Sequence, residues 1–221
     1  MGKDSFGFET FDARIIHEWK AKHEKAQCFL KCVFWSGMDS VYPIKLKLRK
    51  VKVVVRTERL RLAVIDGNDA PFILELLNSP NWLTRIGDRK IKDLSSATDY
   101  IRSYILEGYQ KNGYGQYKMV LKNSNITIGI CGFVKREYLD HPDIGFAVLP
   151  KYEGQGYAFE ATIAVLEYGL DNLGLSNVYG YTTEGNQKAK YLLQRIGLSY
   201  KGQLIDPAHK EFLLYEYNPG N

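Results

Sequence analysis

"VLPKYEGQGYAFEATIAVLEYGL", residues 148–170, passes from an apolar run through Gly154 and Gly156 into a long stretch with helical apolar spacing. Two physical readings meet at those glycines. A tight turn between strand and helix needs residues that tolerate positive φ. A phosphate seat needs bare backbone beside the unpaired N–H groups and positive dipole end of a helix N-terminus. The two better-known phosphate loops do not fit. A Walker loop requires Gly-x4-Gly-Lys followed by Ser or Thr, which occurs nowhere in the chain. A dinucleotide fingerprint requires a third glycine where Phe159 stands. The glycine pair by itself leaves both readings open.

Upstream of this stretch, "RLRLAVI" alternates as a strand, and "GNDAPFILELLNS" reads as a helix with Asn68 or Asp69 as N-cap and Pro71 in its first turn. "SSATDYIRSYILEGYQKNG" predicts a longer helix capped by Ser96 and closed by Gly113. Three strands are predicted over 115–122, 126–134 and 143–149, with "KNSN" turning the first into the second. Downstream come a helix ending at Gly174, the strand "NVYGYTT", a helix capped by Asn186 and two final strands, "LSYKGQ" and "EFLLYEY". The order β-α-α-β-β-β-α-β-α-β-β predicts an α/β fold: an α+β sandwich around a mostly antiparallel central sheet.

Residues 1–55 do not share this regularity and are read as an N-terminal extension, with the main domain over 56–221. The extension holds 11 Lys/Arg against 6 Asp/Glu, whereas the remaining 19 basic and 19 acidic residues cancel. Its "IKLKLRKVKVVV" puts basic residues on one face of a strand; a solvated face explains this without nucleic acid. His17, His23, Cys28 and Cys32 fall in one window, but their spacing matches no zinc module and all four fit one ordinary helix, so no metal is expected. Three cysteines do not make a disulfide framework, and neither a signal-peptide pattern nor an apolar run of membrane-spanning length is present. A cytoplasmic protein without membrane attachment is expected.

The run from Ile128 to Leu198, "IGICGFVKREYLDHPDIGFAVLPKYEGQGYAFEATIAVLEYGLDNLGLSNVYGYTTEGNQKAKYLLQRIGL", resembles the GNAT superfamily of CoA-dependent N-acyltransferases. It is most similar to the branch of RimJ/RimL-type ribosomal-protein N-terminal acetyltransferases, and the resemblance covers about residues 56–217. It implies a GNAT-like mixed sheet flanked by helices, acetyl-CoA as co-substrate and no metal. It implies that Phe146, Ala147 and Val148 pair their backbone with pantetheine. The loop Glu153, Gly154, Gln155, Gly156, Tyr157 and Ala158 would hold the pyrophosphate, and Asn186 would lie beside the CoA arm. Three positions depart from the pattern. Glu153 stands where Gln or Arg is usual, Ala189 where many relatives have serine, and Leu193 where many have a tyrosine acid; RimJ-like members often share the leucine.

The implied reaction is direct attack of a primary amine on the acetyl thioester in a ternary complex. A carboxylate must take the amine's proton, and Asp143 and Glu137, near strand edges, are the candidates. A strand N–H near Val148 would face the thioester oxygen. Glu160, in the first helical turn, can simply favour the dipole. Cys131 reads as a small core residue rather than a nucleophile. The acceptor is a protein N-terminus or a small-molecule amine; relatives also acetylate polyamines and antibiotics. "NWLTRIGDRKIKD" in the acceptor wall carries both signs of charge. The alternative is a catalytically weak CoA-binding sensor or interaction module on the same fold. Nothing in the composition opposes a homodimer.

Overall fold

The computed structural model describes residues 52–217, so the His/Cys window and most of the basic stretch lie outside the described residues. Strand β1 (Val53–Arg56) turns antiparallel into β2 (Leu60–Val64), with Val53 opposite Ala63. The paired sheet thus starts ahead of residue 56.

Helix α1 (Ala70–Leu77) has Pro71 in its first turn and Asp69 at its N-cap position as expected, but no side chain makes the cap hydrogen bond. Asp66 caps a 3-10 turn over Gly67–Asp69, while the Asp69 carboxylate accepts from Asp66 N–H and from Lys118 Nζ. It is therefore not free to cap α1. A short α2 (Pro80–Arg85) follows. The next helix starts three residues earlier than the Ser96 cap implied, as α3 (Leu94–Tyr100). Asp93 accepts from Ser96 N–H at 2.7 Å and Ser96 reciprocates, so Ser96 is the third residue of a capping box rather than the cap. This helix continues through a π-helical segment (Ile101–Leu106) into α4 (Glu107–Asn112), closed by Gly113 at φ 78°.

Strands β3 (Gln116–Leu121), β4 (Thr127–Val134) and β5 (Asp143–Val148) match the three predicted runs to within a residue at each end. Helix α5 (Tyr157–Leu173), β6 (Val178–Thr182), α6 (Gln187–Arg195), β7 (Ser199–Ile205) and β8 (Glu211–Tyr217) complete the order. The eight strands run β1-β2-β3-β4-β5-β6-β8-β7, antiparallel throughout except where β6 meets β5 in parallel.

Alternation along the strands fills two cores, one on each face. Cys131, Phe133 and Ile144 join Val165 of α5 and Leu193 of α6 on one face. Ile130 and Leu149 join Ile73 and Trp82, with Ile101, on the other. Helix α5 sits close to the sheet at Gly169, where a Cβ would come within 2.4 Å of the Phe133 ring. That contact fixes the height of α5 above β4 and β5, and hence where its N-terminus begins.

Candidate active site

Strands β5 and β6 are the pair that builds the site, because they barely pair. Their parallel register holds only at Asp143 opposite Tyr179, with Tyr179 N–H donating to Pro142 O at 2.9 Å. Beyond it β6 turns its other edge to β8 and the two strands part. On the opposite edge Leu149 N–H donates to Ile128 O next to β4. Backbone polar groups alternate sides along a strand, so those of Ile144, Phe146 and Val148 face the opening. Unpaired main chain inside a sheet costs free energy unless something binds it. A cavity of about 710 Å³ occupies this opening; Asp143, Phe146, Ala147, Val148 and Asn186 all line it.

At the mouth of the cavity the chain enters α5 through two left-handed glycines, Gly154 at φ 74° and Gly156 at φ 81°. A side chain at Gly154 would meet open space, so conformation rather than room requires glycine there. Gly156 is the N-cap and no side chain caps the helix. The first intrahelical bond is Glu160 N–H to Gly156 O, which leaves the preceding N–H groups without a helical acceptor. Gly154, Gly156, Tyr157 and Ala158 line the cavity. Such a turn can hold an anion on its main chain. Gln155 does not line it: its side chain folds back to Lys151 O and its carbonyl accepts from Arg59.

Arg59, from the β1–β2 turn, braces the loop from behind. Its Nε lies 2.5 Å from the Glu160 carboxylate and its guanidinium stacks over the Tyr157 ring at 4.4 Å. Burial acts to raise the Glu160 carboxyl, but hydrogen bonds from Thr57 and Arg59 outweigh it and hold the group below the ordinary range. Glu153, the acidic departure, is neutralised across the mouth. Its carboxylate accepts from Asn81 at 2.5 Å and lies 3.4 Å from Arg85 of α2 and 3.5 Å from Lys188 of α6.

Asn186 caps α6 by accepting from Ala189 N–H at 3.2 Å, so position 189 contributes through its backbone. Leu193 is buried against Gly180, where even an added Cβ would come within 2.5 Å of it. A tyrosine would overpack that contact.

Deep in the opening Asp143 is 3% exposed and Oδ1 accepts from Arg136 Nε at 2.7 Å. Burial pushes its carboxyl up to about 6, against the lowering effect of Arg136. Oδ2 has no hydrogen-bond partner among the described residues. Arg136 in turn lies over the Tyr181 ring at 4.9 Å. Sequence reasoning missed Arg136, whose only signal was its place on the short β4–β5 connection, where Val134 opposes Asp143. Glu137, next to it, is exposed and lies outside the cavity lining. Cys131 is fully buried and its thiol is pushed up to about 12 by that burial; it sits 3.7 Å from Thr162 Oγ1, in the core.

Comparison with known proteins accords with this geometry. Residues 59–199 match the Acetyltransferase (GNAT) domain. YoaA of Bacillus subtilis, an uncharacterized N-acetyltransferase, is 23% identical over 166 residues, 75% of this chain and 93% of that protein. An acetyltransferase from Agrobacterium tumefaciens superimposes with a TM-score of 0.65 at 25% identity, covering 82% of this chain and 99% of its own. RimL, a ribosomal L7/L12 α-N-protein acetyltransferase in complex with coenzyme A, superimposes with a TM-score of 0.65 at 15% identity over 76% of this chain and 98% of its own. No helix among the described residues is long and apolar enough to cross a membrane. With the domain match covering well over half of its length, the chain belongs to the GNAT acetyltransferase family and is an acetyl-CoA-dependent acetyltransferase.

Proposed function

We propose that the protein transfers the acetyl group of acetyl-CoA to a primary amine by direct attack, with both reactants bound in the opening between β5 and β6. The observation that carries this reading is the juxtaposition of a bare strand edge with an uncapped, glycine-opened helix N-terminus. Pantetheine is an amide-bearing arm, and the backbone groups of Phe146 and Val148 suit it as strand partners, with Ala147 between them. The pyrophosphate fits the loop from Glu153 to Ala158, with Gln155 contributing main chain only. Asn186 Nδ2 remains available to the arm while Oδ1 caps α6.

In this scheme Asp143 Oδ2 takes the proton of the attacking amine, directly or through one water. Arg136 fixes the carboxylate through Oδ1, and Asp143 lines the cavity. The new N–C bond forms at the thioester carbon, the C–S bond breaks, and the thiolate leaves without a dedicated phenolic acid at position 193. The Val148 N–H is the donor for the thioester oxygen. Glu137, exposed on the loop, serves as the comparison carboxylate.

A thermal-shift titration with acetyl-CoA tests the site. Binding to the folded state alone raises stability by about 2.7 kcal/mol at a hundredfold excess over Kd. The wild type is expected to show this rise and Gly156→Glu to lose it, because position 156 requires positive φ and the added carboxylate repels phosphate. An equal rise in both proteins would remove the cofactor from this loop.

A further inference from the structure

Two aromatic pairs approach Asp143, one from the helices and one from the sheet. Asp143, Gly145 and Ala147 alternate onto one face of β5. On that face Ala147 packs in one core with Ile130, and Tyr100, at the end of α3, packs there too. Tyr100 stacks on Tyr104 of the π-helical segment with ring centroids 5.2 Å apart, and both rings line the cavity. Tyr104 also shares a smaller cavity of about 70 Å³ with Val134, the register partner of Asp143. A π turn within an α-helix is a frequent companion of functional sites, and this one carries Tyr104.

The second pair is tied to Asp143 through Arg136. That side chain donates to Asp143 at 2.7 Å and lies over the Tyr181 ring at 4.9 Å, and Tyr181 meets Phe212 of β8 edge-on at 5.0 Å. Tyr181 and Phe212 line the cavity, as does Tyr138 on the connection that leads into Asp143. Tyr104 is 39% exposed and Tyr138 37%, so these rings do not close a core of their own. Exposed rings gathered in a concavity mark a place where an apolar group binds. Charge does not choose the acceptor, because Arg89, Asp206 and Lys210 line the same cavity and supply both signs. The aromatic surface does.

We infer that the acceptor is a small primary amine joined by a short linker to an aromatic ring, with the ring held among Tyr104, Tyr138, Tyr181 and Phe212 while the amine faces Asp143. A flat ring can pack by face or by edge against each pair. A saturated group of equal size makes only the apolar part of that contact. This rests on the acetyl-transfer reading above and narrows its substrate class.

The test compares kcat/KM for ethylamine, 2-cyclohexylethylamine, 2-phenylethylamine and spermidine. Burying a six-membered ring corresponds to roughly a tenfold to hundredfold gain over ethylamine, and aromatic contact to about a further twofold to tenfold over the saturated ring. 2-Phenylethylamine is expected to lead by those factors. Tyr104→Ala should cut its lead over the saturated ring by about twofold or more, and Tyr104→Phe should preserve it. Melting temperatures check that each variant folds, and Phe212→Leu, expected to act like Tyr104→Ala, supplies the reading if that variant does not. A lead for ethylamine or spermidine, no advantage of the aromatic over the saturated ring, or an advantage unchanged by these truncations would overturn the inference and leave acetyl transfer standing. Turnover of no amine at all would overturn both.

Discussion

Asp143 shows how far one residue's surroundings can decide its chemistry. An exposed aspartate is ionised at any physiological pH and is a weak base. Nearly complete burial lifts this one to about 6, while its hydrogen bond to Arg136 keeps it oriented. The carboxylate is the competent form, so kcat/KM should rise as pH passes upward through about 6 and level off above it. Asp143→Asn should lower kcat by about a hundredfold or more and abolish that rise, in line with the usual worth of a positioned base. Glu137→Gln should leave the profile in place. A pH series on the three proteins checks this; an Asp143→Asn profile that still inflects near 6 would assign the base elsewhere. Sequence made Asp143 a candidate because it begins a strand, but neither its depth nor Arg136 was visible there. Both come from the register that sets Val134 against Asp143.

At the level of elements, the start of α5 depends on a brace that sequence spacing does not reveal. Thr57 and Arg59 reach Glu160 from about a hundred residues away along the chain. The pattern of the stretch correctly placed a helix after Gly156, and the first-turn acid could be explained by the dipole alone. The fold adds a salt bridge that ties the β1–β2 turn to the loop proposed to hold pyrophosphate. Because Arg59 is nearly half exposed, Glu160→Gln should cost only about 1 kcal/mol of stability. Its effect should show in acetyl-CoA binding instead, with KM up severalfold and kcat little changed. The sign with pH follows from the depressed carboxyl. Its contribution is full above the ordinary carboxylate range and is lost as acidification protonates Glu160, so the Gln variant should lose this part of the acid sensitivity. The Ser96 and Asp93 exchange has a similar origin. Both residues suit an N-cap, and only the reciprocal hydrogen bonds distinguish them.

The described residues form two sheet portions joined at one backbone pairing. Strands β1 to β5 form one ladder and β6, β8 and β7 the other. Seven of the eight strands were legible in the sequence as runs of their own, whereas β1, Val53–Arg56, fell at the end of the stretch read as the N-terminal extension. The sequence did not contain the opening between the two portions, which exists because β6 meets β5 only at Asp143 and Tyr179. A ligand that completes the strand edge should be felt there first. Amide exchange at Phe146 and Val148 is therefore expected to slow about tenfold or more on adding acetyl-CoA, against little change in β2 and β3. Uniform slowing across the sheet would instead indicate general stabilisation, with no pairing along β5.

The Glu153 cluster has a further bearing on how quickly the cofactor arrives. An open site with Arg85 and Lys188 unpaired would project a strong positive field and draw in a polyanion at a rate falling steeply with ionic strength. Here a carboxylate partly cancels that field before anything binds. Encounter should be slower in dilute buffer and change less as salt is added, a setting suited to a medium of steady ionic strength. The same carboxylate holds Asn81 and both cations close to their places between turnovers, so less side-chain order has to be created each time the mouth is filled.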